Sequence, residues 1–296
     1  TDPCRCCPWA SALACLASIA CGSALAQAGA PWIDVHVHLI GGPPQRLDYG
    51  AAIGVALAAM NESGVRTAVV MPPPQVKANA MHDWREFAAL LKRQPGRFAF
   101  LGGGGSLNIL LHEAAKSHQI DAAQRAEFER VAQEILSAGA AGFGEIAAHH
   151  LSLQHEHPYE WAPPDHPLLL LLADIAARND AVIDLHLDLV PRDAGPPPRL
   201  QATNPAVLRE NRAAFERLLA HNRRARIVWA HAGSDPLGNW TWSLSRQLLA
   251  AHPNLYMSVR LPGRMPVKPG AAGGFMPHFI VGPGGDLGVV GHEDEG

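Results

Sequence analysis

The stretch Trp32-Ile33-Asp34-Val35-His36-Val37-His38-Leu39 alternates with a period of two. Ile33, Val35, Val37 and Leu39 form one aliphatic face, while Asp34, His36 and His38 share the other. Such a strand is buried on both sides, the aliphatic face under helices and the histidine face in an interior that must satisfy its imidazoles. Six further runs of strand character follow, at 66–72, 98–102, 141–147, 181–189, 226–232 and 254–261. Helical periodicity fills the gaps, at 49–63, 79–93, 122–137, 167–178, 205–222 and 241–251. The helix at 205–222 has the clearest start, with Asn204 placed to cap it, Pro205 at its first position, and Leu208, Phe215, Leu218 and Leu219 on one face. Strands spaced by roughly 30 to 45 residues with a helix between them imply right-handed βαβ units and a parallel sheet. Seven such units in about 230 residues fit a (β/α)8 TIM-like barrel, whose usual length is about 250 residues. No G-x-G-x-x-G motif opens the first helix, which disfavours a dinucleotide-binding open sheet. The glycine run at 102–105 reads as a flexible loop more readily than as an anion cradle.

The polar residues of these strands recur at one end. Glu145 lies at the end of the fourth strand, in Gly142-Phe143-Gly144-Glu145-Ile146, beside two glycines expected to keep its surroundings open. His186 shares a face with Asp184 and Asp188 on the fifth, and His231 ends the sixth before Gly233. In a barrel the catalytic groups come from the C-terminal ends of several strands. Two inward imidazoles on one strand are either metal ligands or hydrogen-bonded core histidines, and the repetition of the theme on three more strands favours metal. Asp184 and Asp188 are expected to orient His186, and Asp34 to play a structural part. Trp229 has the parity of His231 and is a candidate to line the pocket. His149, in the segment after the fourth strand, and Arg260, after the seventh, are candidates to contact substrate, Arg260 as a carboxylate anchor. His82, His112, His118, His221 and His252 read as surface residues.

The ordered set His36-x-His38, Glu145, His186 and His231 resembles the amidohydrolase superfamily, in its amidohydrolase-2 branch, which includes relatives of aminocarboxymuconate-semialdehyde decarboxylase. The resemblance covers roughly 31–261. It implies a metal-dependent barrel in which His36 and His38 bind a first metal, Glu145 bridges two metals, and His186 is a further ligand. His231 would then be either a ligand of the second metal or a catalytic imidazole. The family's aspartate after strand eight, a ligand and general base, would fall on Asp286, here in an unusual Gly-Pro-Gly-Gly setting. One or two divalent ions are expected, zinc first, with manganese and iron as alternatives.

Composition limits the alternatives. The chain has 296 residues, and its 24 Lys+Arg against 27 Asp+Glu leave no basic excess for a phosphate backbone. That argues against a TatD-like deoxyribonuclease, and nucleic acid is not an expected partner. An apolar content of 48% supports a sizeable core. All five cysteines, Cys4, Cys6, Cys7, Cys15 and Cys21, lie within the first 21 residues. That apolar stretch ends in Ala24-Leu25-Ala26 and Ala26-Gln27-Ala28, both matching a signal-peptidase site, so 1–28 reads as an export signal. The expectation is a thiol-free hydrolase over 29–261, periplasmic or secreted, acting on a small-molecule substrate and not bound to membrane after cleavage. Within 262–296, 15 of 35 residues are Gly or Pro. Phe279-Ile280-Val281-Gly282 is the only candidate eighth strand, no helix precedes it, and the closing unit reads as aberrant, with a shifted reading frame as the preferred explanation. A decarboxylase of the same fold and a non-catalytic metal binder are the competing functions.

Overall fold

The computed structural model describes residues 32–39, 48–77, 82–117, 119–153, 158–232, 236–238 and 242–260, with short segments at 274–276, 278–281, 287–289 and 292–294. Strand β1 (Trp32–Val37) leads to α1 (Tyr49–Ser63), β2 (Val65–Val70), α2 (Trp84–Leu91) and β3 (Phe98–Gly103). Helices α3 (Leu107–Ala114) and α4 (Ala122–Ser137) precede β4 (Gly142–His150) and a two-residue β5 (Glu160–Trp161). Then come α5 (Pro167–Arg178), β6 (Val182–Leu187), α6 (Arg212–His221), β7 (Arg226–Ala230), α7 (Trp242–Ala251) and β8 (Leu255–Arg260). Four short strands follow: β9 (Gly274–Met276), β10 (His278–Val281), β11 (Leu287–Val289) and β12 (His292–Asp294).

Strands β1, β2, β3, β4, β6, β7 and β8 are neighbours in that order, and every pairing between them is parallel. The sheet is curled. Five strand steps separate β1 from β7, about 24 Å in a flat sheet, yet the rings of His36 on β1 and His231 after β7 have centroids 4.5 Å apart. The fold is therefore an incomplete (β/α)8 barrel, with helices outside and polar side chains inside.

Local chemistry sets the helix boundaries. The Asp48 side chain accepts from Ala51 N at the start of α1, and Gly64, with φ of 75°, ends it. Asp121 and Gln124 form a reciprocal capping box on α4. Pro167 occupies the first turn of α5, where His166 caps by accepting from Leu168 N. The outer layer buries Phe87, Phe128, Ile135, Leu172 and Phe215 against the aliphatic face of the sheet.

Two expectations are corrected, and one helix is added. Helix α6 begins at Arg212, not at 205. Asn204 instead binds the loop after β4, donating to the carbonyls of Ser152 and Leu200 and accepting from Ser152 N. Leu208 joins Leu151, Val190 and Leu200 in a separate small core. The eight-residue helix α3 has no counterpart in the sequence reading. The run at 102–105 is a packing feature: a Cβ on Gly104 would stand 2.3 Å from the Pro72 carbonyl oxygen. In the tail the candidate strand at 279–282 is found, as β10. Proline and glycine disfavour a helix there, but Phe279, Ile280 and Val281 suit an extended chain, and β10 pairs antiparallel with β8. On the other edge β12 pairs in parallel with β1 and antiparallel with β9. The segment 1–28, expected to be an export signal, lies outside the described residues. No helix among the described residues is long and apolar enough to cross a membrane.

Candidate metal centre

Strand β1 delivers His36 and His38 to the interior, where they are almost entirely buried. Each ring has its Nδ1 committed to oxygen. His36 Nδ1 stands 3.2 Å from Asp184 Oδ2, and His38 Nδ1 stands 2.9 Å from the Met71 carbonyl. Carboxylate and carbonyl oxygens accept only, so each Nδ1 carries the proton and donates it. The lone pair of a neutral ring is then on Nε2. The two Nε2 atoms face one another across 3.2 Å, and Glu145 Oε2 lies 3.0 Å from that of His38 and 3.6 Å from that of His36. Two ring nitrogens and a carboxylate oxygen at that spacing form a donor set that could hold a cation. The pattern is that of metal-ligating histidines whose second nitrogen is held by an oxygen partner.

Glu145 presents its other oxygen to the far wall. Oε1 lies 2.8 Å from His186 Nδ1 and 3.2 Å from His231 Nε2. Glu145 sits within β4 and not at its end, because the strand continues to His150. The flanking glycines do not leave open space. A Cβ on Gly144 would meet Asp184 Cβ and Leu101 Cδ1, each at 2.9 Å, so glycine there lets β6 bring Asp184 against β1. Asp184 thus serves His36, correcting its expected role on His186. Asp188 does approach His186, with Oδ2 3.5 Å from Nε2. Asp34 Oδ1 accepts from His36 N.

The charges are strongly coupled. Burial alone would lower the pKa of His36, but Asp184 and Glu145 outweigh it and hold the imidazole up at about 10. His186 is likewise depressed by burial and raised by Asp188 and Glu145, to about 10. Burial would raise Glu145, yet His36, His186 and His231 keep it well below the usual carboxylate range. His231 goes the other way: burial, then the charge on His36, pushes it down to about 4. A proton on His36 occupies the place among the Nε2 atoms that a divalent cation would take. Two triads in this centre, His36–His38–Glu145 and Glu145–His186–His231, have donor atoms close enough to hold an ion.

His231 reaches the centre by breaking the strand's alternation. Trp229 has the same parity but is fully buried on the helix side, packed on Phe215 at 5.6 Å and donating to the Leu187 carbonyl. It does not line the centre, contrary to expectation. His231 follows the last residue of β7 with φ of 55°, a left-handed conformation that turns its ring inward, and its N–H donates to Ser258 Oγ. His149 is also corrected. It belongs to β4, is completely buried, and donates from Nδ1 to the Asp188 carbonyl at 2.6 Å. Its ring packs on Tyr159 and Trp161. Arg260 ends β8, where its backbone pairs with His278, and its side chain lies outside the described residues, as does Asp286.

Two more histidines lie near the centre, the first of them one of the histidines after the fourth strand from which a substrate contact was expected. His150 stacks on His186 with centroids 3.8 Å apart. His112, expected on the surface, is buried and sits 2.9 Å from the Ala147 carbonyl. An i, i+4 pair with Asn108 on a short apolar helix was the available signal for the second.

No family model matches the chain, and no curated relative does. Among solved structures it is similar to a probable 2-pyrone-4,6-dicarboxylic acid hydrolase from Acinetobacter baumannii with citric acid bound. That similarity has 14% identity and a TM-score of 0.36, covering 69% of this chain and 59% of that one. It is also similar to a 2,6-dihydroxybenzoate decarboxylase complexed with 2,6-dihydroxybenzoate, with 15% identity and a TM-score of 0.38, covering 74% of this chain and 70% of that one. The chain thus spans less than two thirds of the first of these proteins.

Proposed function

We propose that this protein is a metal-dependent hydrolase of the amidohydrolase superfamily, acting on a small-molecule ester, lactone or amide. The observation that carries the reading is the 3.2 Å approach of His36 Nε2 and His38 Nε2, with both Nδ1 protons engaged elsewhere and Glu145 Oε2 alongside. A divalent ion in such a nitrogen and oxygen donor set lowers the pKa of water to near 7 and polarises a carbonyl oxygen. Zinc suits the set first, with manganese and iron as alternatives.

The residues divide the work. Asp184 and the Met71 carbonyl fix the ring tautomers, so that both Nε2 atoms point at one place. Glu145, held ionised, offers Oε2 to that place as a ligand and holds the rings of His186 and His231 with Oε1. His231 stays neutral beside Glu145 Oε1, so as a catalytic imidazole it would first take a proton from the attacking water and then pass it to the leaving group. The absence of a basic excess supports a small-molecule substrate over nucleic acid. The Ala-x-Ala sites before Gly29 and the lack of cysteine beyond Cys21 support an exported, periplasmic or secreted protein.

Replacing Glu145 tests the reading. Glu145→Gln should lower hydrolytic turnover on an ester, lactone and amide panel by about 100-fold or more, and lower bound metal with it. Unchanged turnover together with unchanged metal content would remove Glu145 from the reaction. Decarboxylase activity retained in that variant would favour the decarboxylase reading instead.

A further inference from the structure

We propose that His150, His186 and Asp188 build a separate cation position, on the opposite edge of the His186 ring from Glu145. The argument starts from the two nitrogens of His186, whose surroundings differ. Nδ1 lies 2.8 Å from Glu145 Oε1, a short, charge-assisted hydrogen-bond distance. Nε2 lies 3.5 Å from Asp188 Oδ2. That is long for an N–H···O bond, but two ligands of one tetrahedral ion, each at about 2.1 Å, stand roughly 3.4 Å apart. Without an ion His186 carries a proton on each nitrogen, and a cation at Nε2 would take the place of the one that faces Asp188. The proton on Nδ1 stays donated to Glu145. Glu145 then plays for His186 the part that Asp184 plays for His36, a carboxylate holding the nitrogen that does not bind metal.

The other two donors are set by one residue. Leu151 N donates to Asp188 Oδ2 at 2.8 Å, and the Leu151 carbonyl lies 3.1 Å from His150 Nδ1. A carbonyl accepts only, so His150 carries its proton on Nδ1, leaving Nε2 as its ligating atom. The His150 ring lies beside that of His186 at 3.8 Å, tilted by 32°. Donor atoms of the three residues all fall within 4.8 Å of one another. Two imidazoles and a carboxylate form a set that suits zinc and similar borderline ions. The position sits where β4 and β6 end, with His150 and His186 partly exposed and Asp188 buried, so an ion can reach it from solvent.

The inference rests on the proposed function only in using Glu145 to orient His186. Its remaining donors are separate from His36, His38 and His231, so the two readings fail independently. The test is zinc titration of the full chain, with bound metal counted after gel filtration, and cobalt(II) loading followed by its ligand-field absorption. The wild-type chain should bind two ions. His150→Gln should weaken one of them about 100-fold or more, while His36→Ala with His38→Ala should lose the other and keep the His150-dependent ion. His231→Gln should still bind two. Asp188→Asn repeats the His150 test, and because Asp188 also accepts from Leu151 N, its fold is checked by circular dichroism. Unchanged count, affinity and cobalt spectrum in His150→Gln would overturn the proposal. So would loss of the second ion in His231→Gln but not in His150→Gln, which would put that ion between Glu145 and His231. A single ion, lost only in the His36/His38 double variant, would overturn it while leaving the proposed function standing. A single ion lost only in His150→Gln would do the reverse.

Discussion

Two groups of buried histidine meet strand β4, and they differ in what each ring nitrogen faces. Around Glu145, the Nε2 atoms of His36 and His38 face each other and a carboxylate. Around Ala147, two residues further along, His112 Nε2 faces a backbone carbonyl at 2.9 Å. Asn108 Oδ1 accepts from Ala147 N at 2.8 Å, and its Nδ2 donates to Glu160 Oε2 and the Gln75 carbonyl. β3 pairs with β4 only as far as Gly103↔Gly144, so Asn108 and His112, one turn apart on α3, supply to Ala147 the contacts of a neighbouring strand. Both groups are buried and both place imidazole against the same strand. Convergent lone pairs distinguish a site for an ion from a network in which the protein satisfies itself.

The largest effect expected from that difference follows from emptying the first group. His36→Ala with His38→Ala should remove the ion they hold and reduce turnover by about 1,000-fold or more, since the loss is several kcal/mol of transition-state stabilisation. Metal analysis of dialysed protein and turnover on the ester panel check it together. A double variant that retains both full metal and full turnover would erase the contrast between the groups.

The next effect, of about 3 kcal/mol, concerns a proton in the second group. Burial raises the pKa of Glu160 to about 7, against a lesser opposing effect from Asn108, and burial lowers that of His112 to about 4. The 3.4 Å between them would also admit an ion pair of charged His112 and ionised Glu160. Desolvation of both groups favours the neutral pair. A folded-state pKa raised from 4.5 to about 7 means stability that is complete below pH 4.5 and lost as pH rises through 7. Glu160→Gln cannot lose it. Relative to wild type, the variant should therefore gain about 3 kcal/mol between pH 4.5 and pH 7.5 in urea unfolding. A difference that stays constant over that range would mean that Glu160 is ionised throughout and paired with a charged His112.

Much of the first group was legible in the chain because period-two alternation reports directly on strand faces. The faces of His36, His38 and His186 follow from it, while Glu145 follows from its place late in a strand and the parallel sheet from the regular spacing of strands with a helix in each gap. Alternation fails where the backbone leaves the extended region. His231 turns inward at φ of 55°, so its parity pointed to the wrong neighbour, Trp229. The partners of Asp184 and Asn204 are set by curling and loop packing over long sequence separations, which no local pattern encodes. The second group was hidden for a related reason. α3 has only eight residues, follows a glycine run, and its polar side chains point at a strand edge that exists only because β3 stops short.

The smallest effect expected is also the cleanest separation of the two groups. Asn108 is completely buried, and removing its side chain leaves the Ala147 N–H and Glu160 Oε2 without the partner each now has. A buried donor left unsatisfied costs about 1–3 kcal/mol, so Asn108→Ala should lose about 2 kcal/mol in urea unfolding. Asn108→Asp keeps an acceptor for Ala147 N but places a carboxylate beside Glu160, so it should recover little of the loss at pH 7.5 and more at pH 5, where a shared proton relieves the pair. Bound zinc per chain should not change in either variant, because Glu145 is held by its own imidazoles and not through Ala147. If the metal count falls in step with stability, α3 transmits strain along β4 into the centre, and the two groups are one cooperative unit.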